Sequence, residues 1–473
     1  MKVNLPLLIV VILFGSLIAY RAFIIPMTHD EASSWLNYHN TPIWSCFFDP
    51  RCWGTANNHW LNTLLFQWSA AIFGPETWAL RLPNVIAGWA YLFCAYLLCN
   101  RYIKTLPLQL LGFMLLCGHV YLLDFFSLAR GYGLMTSGVM WAVYSLLRYR
   151  EVYDNKWLGI CLASLLLSVL GNFTGLLAYL SVGIVWLIQV VYSKKYDLLI
   201  RHGLVWVLSA LILFFLLRLP IQTLSAAGEF TQGADNAYQT GVDLMRSISY
   251  GQNYLGPSSV IYFLFFFLGL IVLFLFGAYR KRSSDDRAFL LVSTLLFVSI
   301  LVIIVQQLLT GSHTPVGRKS IYLVPIFFSA VALGFTVVGN RRMALGIGSV
   351  LLLLVSVHFL QKFPMERTRE WYYDAYYPEL MSVILPEGKN NDSVRLSTSW
   401  IFYPALNFYK ETVPLPFDDL PYQRPLVIDS SRQYYYVEGA DTTGMDAHGY
   451  HLHKNIGPYF LYKNERANLF PSN

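Results

Sequence analysis

Long apolar runs, separated by shorter polar segments, dominate the chain up to about residue 361. Most runs approach the roughly 20 residues that an α-helix needs to cross a hydrocarbon core of about 30 Å. They predict eleven membrane-spanning helices, near residues 4–24, 79–99, 106–123, 131–147, 157–170, 175–192, 203–219, 259–279, 288–309, 320–338 and 343–361. The pattern therefore predicts an α-helical polytopic membrane protein.

Beyond these runs the pattern changes to one rich in Tyr, Asp, Asn and Pro. Three short segments, "PLVIDSS", "QYYYVEG" and "PYFLYKN", predict strands, and "YYPELMSVIL" predicts a helix. We thus expect a transmembrane domain over residues 1–361, including loops 26–78 and 220–258, and a small mixed α/β domain over residues 362–473. In the first loop, "HWLNTLLFQWSAAIFG" has apolar residues and tryptophans at helical spacing, which predicts a helix lying along the membrane interface.

Composition and charge predict which loops of the chain lie on each side of the membrane. Hydrophobic residues make up 56% of the 473 residues and charged residues 13%, about half the usual share in soluble proteins. Lysine and arginine are concentrated in one alternate set of loops, such as those around Arg148 and Arg341. Cytoplasmic loops carry this excess, so the N-terminus is predicted to be cytoplasmic, and the 26–78 loop, the 220–258 loop and the tail extracytoplasmic. This distribution explains the net charge of +7 without a nucleic-acid partner.

Two of the six cysteines lie in a loop that is predicted to be extracytoplasmic. Cys46 and Cys52 lie in the first outside loop within "CFFDPRC", where oxidation is permitted. A small disulfide loop there is one alternative, and free thiols are the other. The spacing could also suggest a metal site, but no second pair of Cys or His completes one.

Charged residues cluster directly after the first span, where "IIPMTHDEASS" places His29, Asp30 and Glu31 side by side. One interpretation is a helix cap, with Thr28 or Asp30 beginning a short helix and Glu31 in its first turn. The other is chemical, because an acid pair at the outer edge of a span is where a general base would meet a substrate held in the bilayer. The two interpretations are compatible.

Further charges mark the outer ends of later spans. Asp124 and Arg130 in "DFFSLARGYGLMT" either pair with one another or snorkel, or they act as a second acid and a phosphate-binding group. Arg81, in "ETWALRLPNVIAG", enters the second span from outside and is either a snorkelling side chain or a further cation of the same site.

The segment "TGSHTPVGRKSIYLVPIF" carries His313, Arg318 and Lys319 on the outside, against the topological preference for positive charge in the cytoplasm. An anionic lipid head group, phosphate or pyrophosphate is the natural partner for such a cluster. In the first loop, Asn58 and His59 add polar groups, and His59 is a candidate base, ligand or plain hydrogen-bonding group.

Taken in order, the acid pair after the first span, "RLPNVIAG", "ARGYGL", "GRKSIYLVP" and the soluble tail resemble the glycosyltransferase C fold. The likeness is greatest to glycosyltransferase family 39, which includes protein O-mannosyltransferases and aminoarabinose-to-lipid A transferases. It covers spans one to four well and the later spans loosely. In place of the family's commoner R-Y pattern this chain has "GRKSIY", so Arg318 and Lys319 share the corresponding position.

The resemblance implies transfer of a sugar from a polyprenyl-phosphate donor to a hydroxyl of a lipid, glycan or protein acceptor outside the membrane, with inversion at the sugar carbon. It implies that Asp30 deprotonates the acceptor, with Glu31 beside it and Asp124 near a second family acid. The donor phosphate would be bound by the arginines and lysine named above (Arg81, Arg130, Arg318 and Lys319). The substrate cavity would include His29, Asn58, His59, Tyr132 and His313.

No nucleotide motif is present, in agreement with a lipid phosphate as the leaving group. No cofactor is predicted with certainty, and a divalent metal stays open, with His29, Glu31, His59 and Asp124 as conceivable ligands. The competing functions are a flippase or transporter, which would place charges deep within spans, and a polymerase of lipid-linked saccharides. The size and single tail domain suggest a bacterial inner membrane.

Overall fold

The computed structural model describes residues 3–53, 55–254, 256, 258–281, 286–386, 394–413, 418 and 420–464. By their contacts, the residues form two compact units. The first comprises Met1–Ala22, Pro42–Ser69 and Leu80–Phe363, and the second comprises Phe23–Thr41, Ala70–Ala79 and Pro364–Asn473. Most of the first predicted loop lies in the first unit, but the segment that carries the acid pair belongs to the second, with the tail.

The fold is mostly helical, as predicted. The helices are α1 (Leu5–Ile24), α2 (His29–Tyr38), α3 (Trp60–Phe73), α4 (Thr77–Tyr102), α5 (Leu106–Cys117), α6 (Val120–Phe126), α7 (Tyr132–Val152), α8 (Asn155–Gly171), α9 (Gly175–Tyr192), α10 (Tyr196–Ala226), α11 (Ala237–Ile248), α12 (Ser259–Lys281), α13 (Asp286–Thr310), α14 (Leu323–Gly334), α15 (Arg341–Lys362), α16 (Tyr377–Ile384) and α17 (Tyr403–Thr412).

Within the described residues, seven helices are long and apolar enough to cross a membrane, namely α1, α4, α9, α10, α12, α13 and α15. Helices α5 and α6 together make an eighth candidate, and α8 and α14 are shorter apolar helices. Every predicted span corresponds to helix, whereas the number of crossings, eleven, stays a prediction.

The third predicted span is not one straight helix. Helices α5 and α6 meet at an angle of 62°, and the break lies at Gly118 and His119. The N–H of Gly118 donates to the Met114 carbonyl at 2.8 Å, and His119 has extended backbone angles. A Cβ at Gly118 would lie 2.6 Å from that carbonyl oxygen, so the turn requires glycine.

Small residues allow the helices of the first unit to pack closely. A Cβ at Gly138 of α7 would lie 2.5 Å from the Ser164 carbonyl oxygen of α8. At the start of α7, a Cβ at Gly131 would lie 1.8 Å from the Gly171 carbonyl oxygen. Close backbone approach at small residues is typical of helix pairs in membranes. The approach at Gly131 places the beginning of α7 against the end of α8.

The first loop contributes a small aromatic core to the first unit. Cys46 and Cys52 form a disulfide with their Cα atoms 5.2 Å apart, which selects one of the two alternatives left open by the sequence. The indole N–H of Trp53 donates to the Cys46 carbonyl at 2.6 Å, and that of Trp60 donates to the Ile43 carbonyl at 2.9 Å. The predicted helix in this loop is confirmed as α3, and its place at the interface remains a prediction.

The second unit contains a four-stranded sheet of β1 (Leu396–Thr398), β2 (Tyr434–Val437), β3 (His451–Ile456) and β4 (Tyr459–Lys463). The order is β1-β2-β4-β3, with β1 parallel to β2 and the other pairs antiparallel. Two predicted strands are confirmed as β2 and β4, and the predicted helix as α16. The prediction of a strand at "PLVIDSS" is wrong, because this segment is irregular and Leu426 and Ile428 pack on Tyr435 and Tyr450.

Candidate functional site

The acid pair lies at the beginning of α2, in the second unit. The Glu31 carboxylate accepts hydrogen bonds from the N–H of Thr28 at 3.1 Å and from its hydroxyl at 2.8 Å. The structure therefore contains the predicted cap, with Thr28 as N-cap and Glu31 as its partner in a capping box. Asp30 is also buried, with 7% of its surface exposed.

A third carboxylate, which the sequence did not indicate, reaches the same helix end. Asp374 accepts a hydrogen bond from the N–H of His29 at 2.7 Å and another from the Tyr377 hydroxyl at 2.6 Å. Burial raises the pKa of Asp374 well above its ordinary value, the two hydrogen bonds oppose this shift, and the neighbouring charges of Asp30 and Glu31 add to it. The second unit thus gathers three carboxylates around the first turn of α2.

His29 is held in a defined orientation. Its Nδ1 lies 2.7 Å from the carbonyl oxygen of Ile401. Because a carbonyl can only accept, Nδ1 carries the proton of that hydrogen bond, and Nε2 of the neutral ring is left as an acceptor. The rings of Tyr373 and Trp400 stand edge-on to the imidazole, at 6.4 and 5.6 Å between centroids.

In the first unit, Asp124 forms a buried ion pair that the sequence did not predict. Its carboxylate lies 2.6 Å from Nη2 of Arg21, with 2% and 0% of the two side chains exposed. The Tyr250 hydroxyl donates to its other oxygen at 3.2 Å. The observed pair joins α1 to α6, and a pair between Asp124 and Arg130 stays a prediction.

Arg81 is fully buried near the start of α4. Its Nη1 donates to the Ala22 carbonyl at 3.1 Å, close to the end of α1. This contact differs from the snorkelling arrangement suggested by the sequence, because no part of the side chain is exposed. A role for Arg81 in binding the donor stays a prediction.

Four of the predicted site residues belong to the first unit, and we call them the Tyr132 cluster: His59 and Arg318, which contact Tyr132, Tyr132 itself, and Arg130, which precedes it by two positions. The ring of Tyr132 stands edge-on to His59 at 4.9 Å, and the Arg318 guanidinium lies 5.9 Å from the centre of the Tyr132 ring. Arg130 donates to the backbone and side-chain oxygens of Asn57 at 3.3 and 3.0 Å.

Two neighbours fix the imidazole of the cluster. The Asn172 amide lies 3.0 Å from Nδ1 of His59, and Nδ1 accepts if this amide nitrogen donates. A Cβ at Gly131 would lie 2.8 Å from Cβ of His59, so the glycine of "ARGYGL" lets the first loop reach the beginning of α7.

Arg318 is presented on a short 3-10 turn, Gly317–Ser320. The N–H of Gly317 donates to the carboxylate of Asp243 in α11, which anchors this turn. Lys319 turns to a different partner, since its ammonium donates to the Gln232 carbonyl at 3.2 Å. Burial and the adjacent Arg318 lower the pKa of Lys319. The two basic residues of "GRKS" thus have different contacts.

The remaining predicted cavity residues have local roles. Asn58 is buried and joins the first loop to α3, donating to the Cys52 carbonyl at 3.1 Å and accepting from the Thr63 hydroxyl at 3.0 Å. His313 is exposed and lies 3.5 Å from the Asp235 carboxylate.

Of the conceivable metal ligands, His29 and Glu31 belong to the second unit, and His59 and Asp124 belong to the first. In the described part of the chain, no group of three or more His, Cys, Asp or Glu side chains is arranged to bind a metal ion. We therefore assign no step to a metal.

No protein-family model and no curated protein matches the chain. Among solved structures, it is similar to ArnT from Cupriavidus metallidurans bound to undecaprenyl phosphate, with a TM-score of 0.53 and 10% identity over 98% of this chain and 99% of that one. The apo state of the same protein matches with a TM-score of 0.52, the same identity and the same coverage.

These similarities and the apolar helices define the class of the protein. It is a multi-pass α-helical membrane protein of the glycosyltransferase C fold, with a small sheet-containing C-terminal part. Its fold is that of ArnT over almost the whole of both chains.

Proposed function

We propose that the protein is a membrane glycosyltransferase that moves a sugar from a polyprenyl-phosphate donor to an acceptor hydroxyl. A lipid phosphate is already an adequate leaving group. The enzyme then needs cations that take up the charge developing on the departing phosphate and a base for the acceptor. Neither requirement involves a nucleotide.

The Tyr132 cluster is the observation that carries this proposal. Arg318 is half-buried on an anchored turn, and its guanidinium lies against an aromatic ring. Arg130 is almost fully buried in the same unit. Arginines placed in this way suit a phosphate, because the planar guanidinium binds its oxygens in pairs. The undecaprenyl phosphate bound to ArnT, which shares the fold, supports this ligand class.

In the second unit, we assign the base to Asp30. The acceptor hydroxyl would give its proton to Asp30 while its oxygen attacks the anomeric carbon. The bond from that carbon to the phosphate oxygen breaks on the opposite face, and the phosphate keeps the electron pair. One displacement of this kind inverts the configuration. Glu31 already accepts two hydrogen bonds in the helix cap, which favours Asp30 over Glu31 for this role.

The side of the reaction follows from the distribution of lysine and arginine. The short loops rich in these residues would be cytoplasmic, so the acid pair, Arg318 and the C-terminal domain would face the periplasm of a bacterial cell. The predicted outside position of Arg318 agrees with a donor that is presented on that face.

The experiment compares purified wild type with Arg318→Ala, Arg318→Lys and Arg51→Ala. Each protein is incubated with radiolabelled polyprenyl-phosphate sugars and a cell-envelope extract. Removing one group that stabilises the leaving charge lowers the turnover by about 100-fold. Lysine keeps the charge but not the planar contact with Tyr132, so Arg318→Lys is expected between wild type and alanine.

Arg51 is the control because its side chain is 89% exposed and pairs only with Asp49 among the contacts the structure gives it. Arg51→Ala should therefore transfer like wild type. Undiminished transfer by Arg318→Ala would contradict the phosphate assignment. Movement of label across a vesicle membrane by wild type without any transfer would favour the flippase alternative.

A further inference from the structure

The second unit contains a pocket of about 410 Å³ beside the first turn of α2. Its size is within the range of pockets that bind small molecules. It is lined by residues of α2 and α17 and of the segments on either side of α17. Those used below are His29, Trp400, Tyr403, Asn407, Glu411 and Tyr422.

Aromatic rings form one part of the lining. Tyr403 and Tyr422 stand edge-on to each other, with their centroids 5.2 Å apart and their planes at 75°. Trp400 carries the Arg424 guanidinium 4.3 Å from the centre of its ring. Tyr422 is 56% exposed. Exposed rings of this kind offer flat apolar surface with a polar edge, which matches a ligand that has C–H groups on one face and hydroxyls around its rim.

Polar groups line the same space. His29 offers Nε2 as an acceptor, since Nδ1 is used by the Ile401 carbonyl. The Glu411 carboxylate is a second acceptor in the lining. Asn407 also lines the pocket, with its amide nitrogen buried. Ligand hydroxyls can donate to such acceptors.

The charge of the lining argues against a phosphate. Glu411 contributes a carboxylate, and no lysine or arginine is among the described residues that line the pocket. The Glu411 carboxylate disfavours an anionic ligand, whereas a neutral or protonated amino group would not be repelled. The Arg424 guanidinium, which lies against the Trp400 ring, is a cation beside the pocket but not among its lining residues. This chemistry separates the pocket from the arginine-containing Tyr132 cluster.

We propose that this pocket binds a neutral or amine-bearing sugar residue of the acceptor, an inference that rests on the proposed transferase function. His29 lines the pocket and directly precedes Asp30 in the chain. A sugar bound against α2 is thereby held beside the turn that carries the assigned base. The pocket selects the acceptor, and the arginines bind the donor.

The test uses the full-length protein and four forms: wild type, Tyr422→Ala, Tyr422→Phe and Tyr372→Ala. Tyr422 is exposed, so its replacement should not disturb folding. Tyr372 is the matched control, because it is a 55% exposed tyrosine of the same unit that does not line the pocket. Saturation-transfer NMR is recorded with methyl glucoside, methyl glucosaminide and methyl glucuronide, and transfer kinetics are measured with varied acceptor concentration.

Wild type should show saturation of the neutral and amino glycosides but not of the glucuronide. Loss of one aromatic face in Tyr422→Ala should weaken this signal and raise the acceptor KM by about three- to tenfold, with kcat unchanged. Tyr372→Ala should behave like wild type, and Tyr422→Phe, which keeps the ring but lacks the hydroxyl, should lie between wild type and Tyr422→Ala.

The outcomes distinguish the two proposals. An unchanged NMR signal and KM in Tyr422→Ala, in an enzyme that transfers sugar, would overturn the pocket and leave the transferase function in place. Saturation that depends on Tyr422 in a protein without transferase activity would overturn its acceptor role and the proposed function, and support the saccharide site alone.

Discussion

Replacing Asp124 tests whether the buried ion pair is a structural brace or part of the reaction. The Asp124 carboxylate and the Arg21 guanidinium are 2.6 Å apart and almost completely excluded from solvent. Removing one partner leaves the other charge buried without its counter-ion, which costs about 3–5 kcal/mol. Asp124→Leu and Arg21→Met should each destabilise the protein by this amount and lower its melting temperature by at least about 5 °C.

The double variant is the control for this reasoning. With both charges replaced by apolar side chains of similar size, no buried charge remains, and such replacements are often neutral or stabilising. Arg21→Met with Asp124→Leu should recover most of the loss, so that the coupling free energy in the double-mutant cycle approaches the sum of the two single losses, about 6–10 kcal/mol. Thermal unfolding followed by tryptophan fluorescence in detergent measures all four proteins.

Transfer activity, measured well below the lowest melting temperature, separates the two roles of Asp124. If the ion pair has only a structural role, the folded double variant should still transfer sugar. Asp124→Leu that melts like wild type but has lost transfer would refute the structural reasoning and favour the second catalytic acid implied by the family resemblance.

Three further predictions concern the second unit and the first loop. Glu31→Gln should keep both the cap and most of the transfer activity, because glutamine also serves in a capping box, whereas Asp30→Asn should lose transfer; equal loss in both would contradict the assignment of the base. In the wild type, Asp374 should make the free energy of unfolding fall as the pH rises, because the unfolded chain releases its proton near the ordinary pKa of 3.8 and the folded state holds it to higher pH. Asp374→Asn should reduce this pH dependence, and melting curves from pH 4 to 8 check this. Cys46→Ser with Cys52→Ser should cost about 2 kcal/mol by the entropy of so short a loop, and a chemical unfolding midpoint equal to wild type would contradict it.

The sequence was sufficient for the helices and insufficient for their interruptions. Apolar runs near 20 residues have one stable form in a bilayer, so α1, α4 and α9 could be predicted within a few residues. The break at Gly118 and His119 lies inside an apolar run, and hydropathy averaged along that run does not detect it. The sign of the bend in the sequence is the pair Gly118–His119, a glycine followed by a polar residue inside an apolar run.

In the tail, the strands that were predicted correctly, β2 and β4, are rich in aromatic residues. The strands β1 and β3 lack such residues and were not predicted. The strand β2 has the run "YYYV", all four residues of which are buried. The strand β3 reads "HLHKNI" and is mostly exposed, so it lacks the alternation that identifies a half-buried strand. The apolar segment around Leu426 packs as irregular chain, because burial alone does not require a strand.

The candidate site shows the same division between local and distant information. The positions of Arg130 and Arg318 were indicated by charge on the predicted outside of the membrane, and the structure places Arg318 against Tyr132, while their role as a site stays a prediction. Their partners were not predictable: Arg21 and Asp124 are 103 positions apart, and Asp374 reaches His29 from 345 positions away. Partners so distant are set by the packing of helices, which one sequence does not contain.

The arrangement around α2 is more acidic than a helix cap requires. One side chain, Glu31, completes the capping box with Thr28, and the positive end of the helix would be served by a single carboxylate. Asp30 and Asp374 are nevertheless buried at the same turn, where the charges of Asp30 and Glu31 add to the rise in the pKa of Asp374. Groups that destabilise the folded state in this way are concentrated at functional sites. The two acids beyond the cap therefore favour a chemical role for this turn, and Asp374, which accepts a hydrogen bond from the backbone N–H of His29, orients the turn on which Asp30 lies.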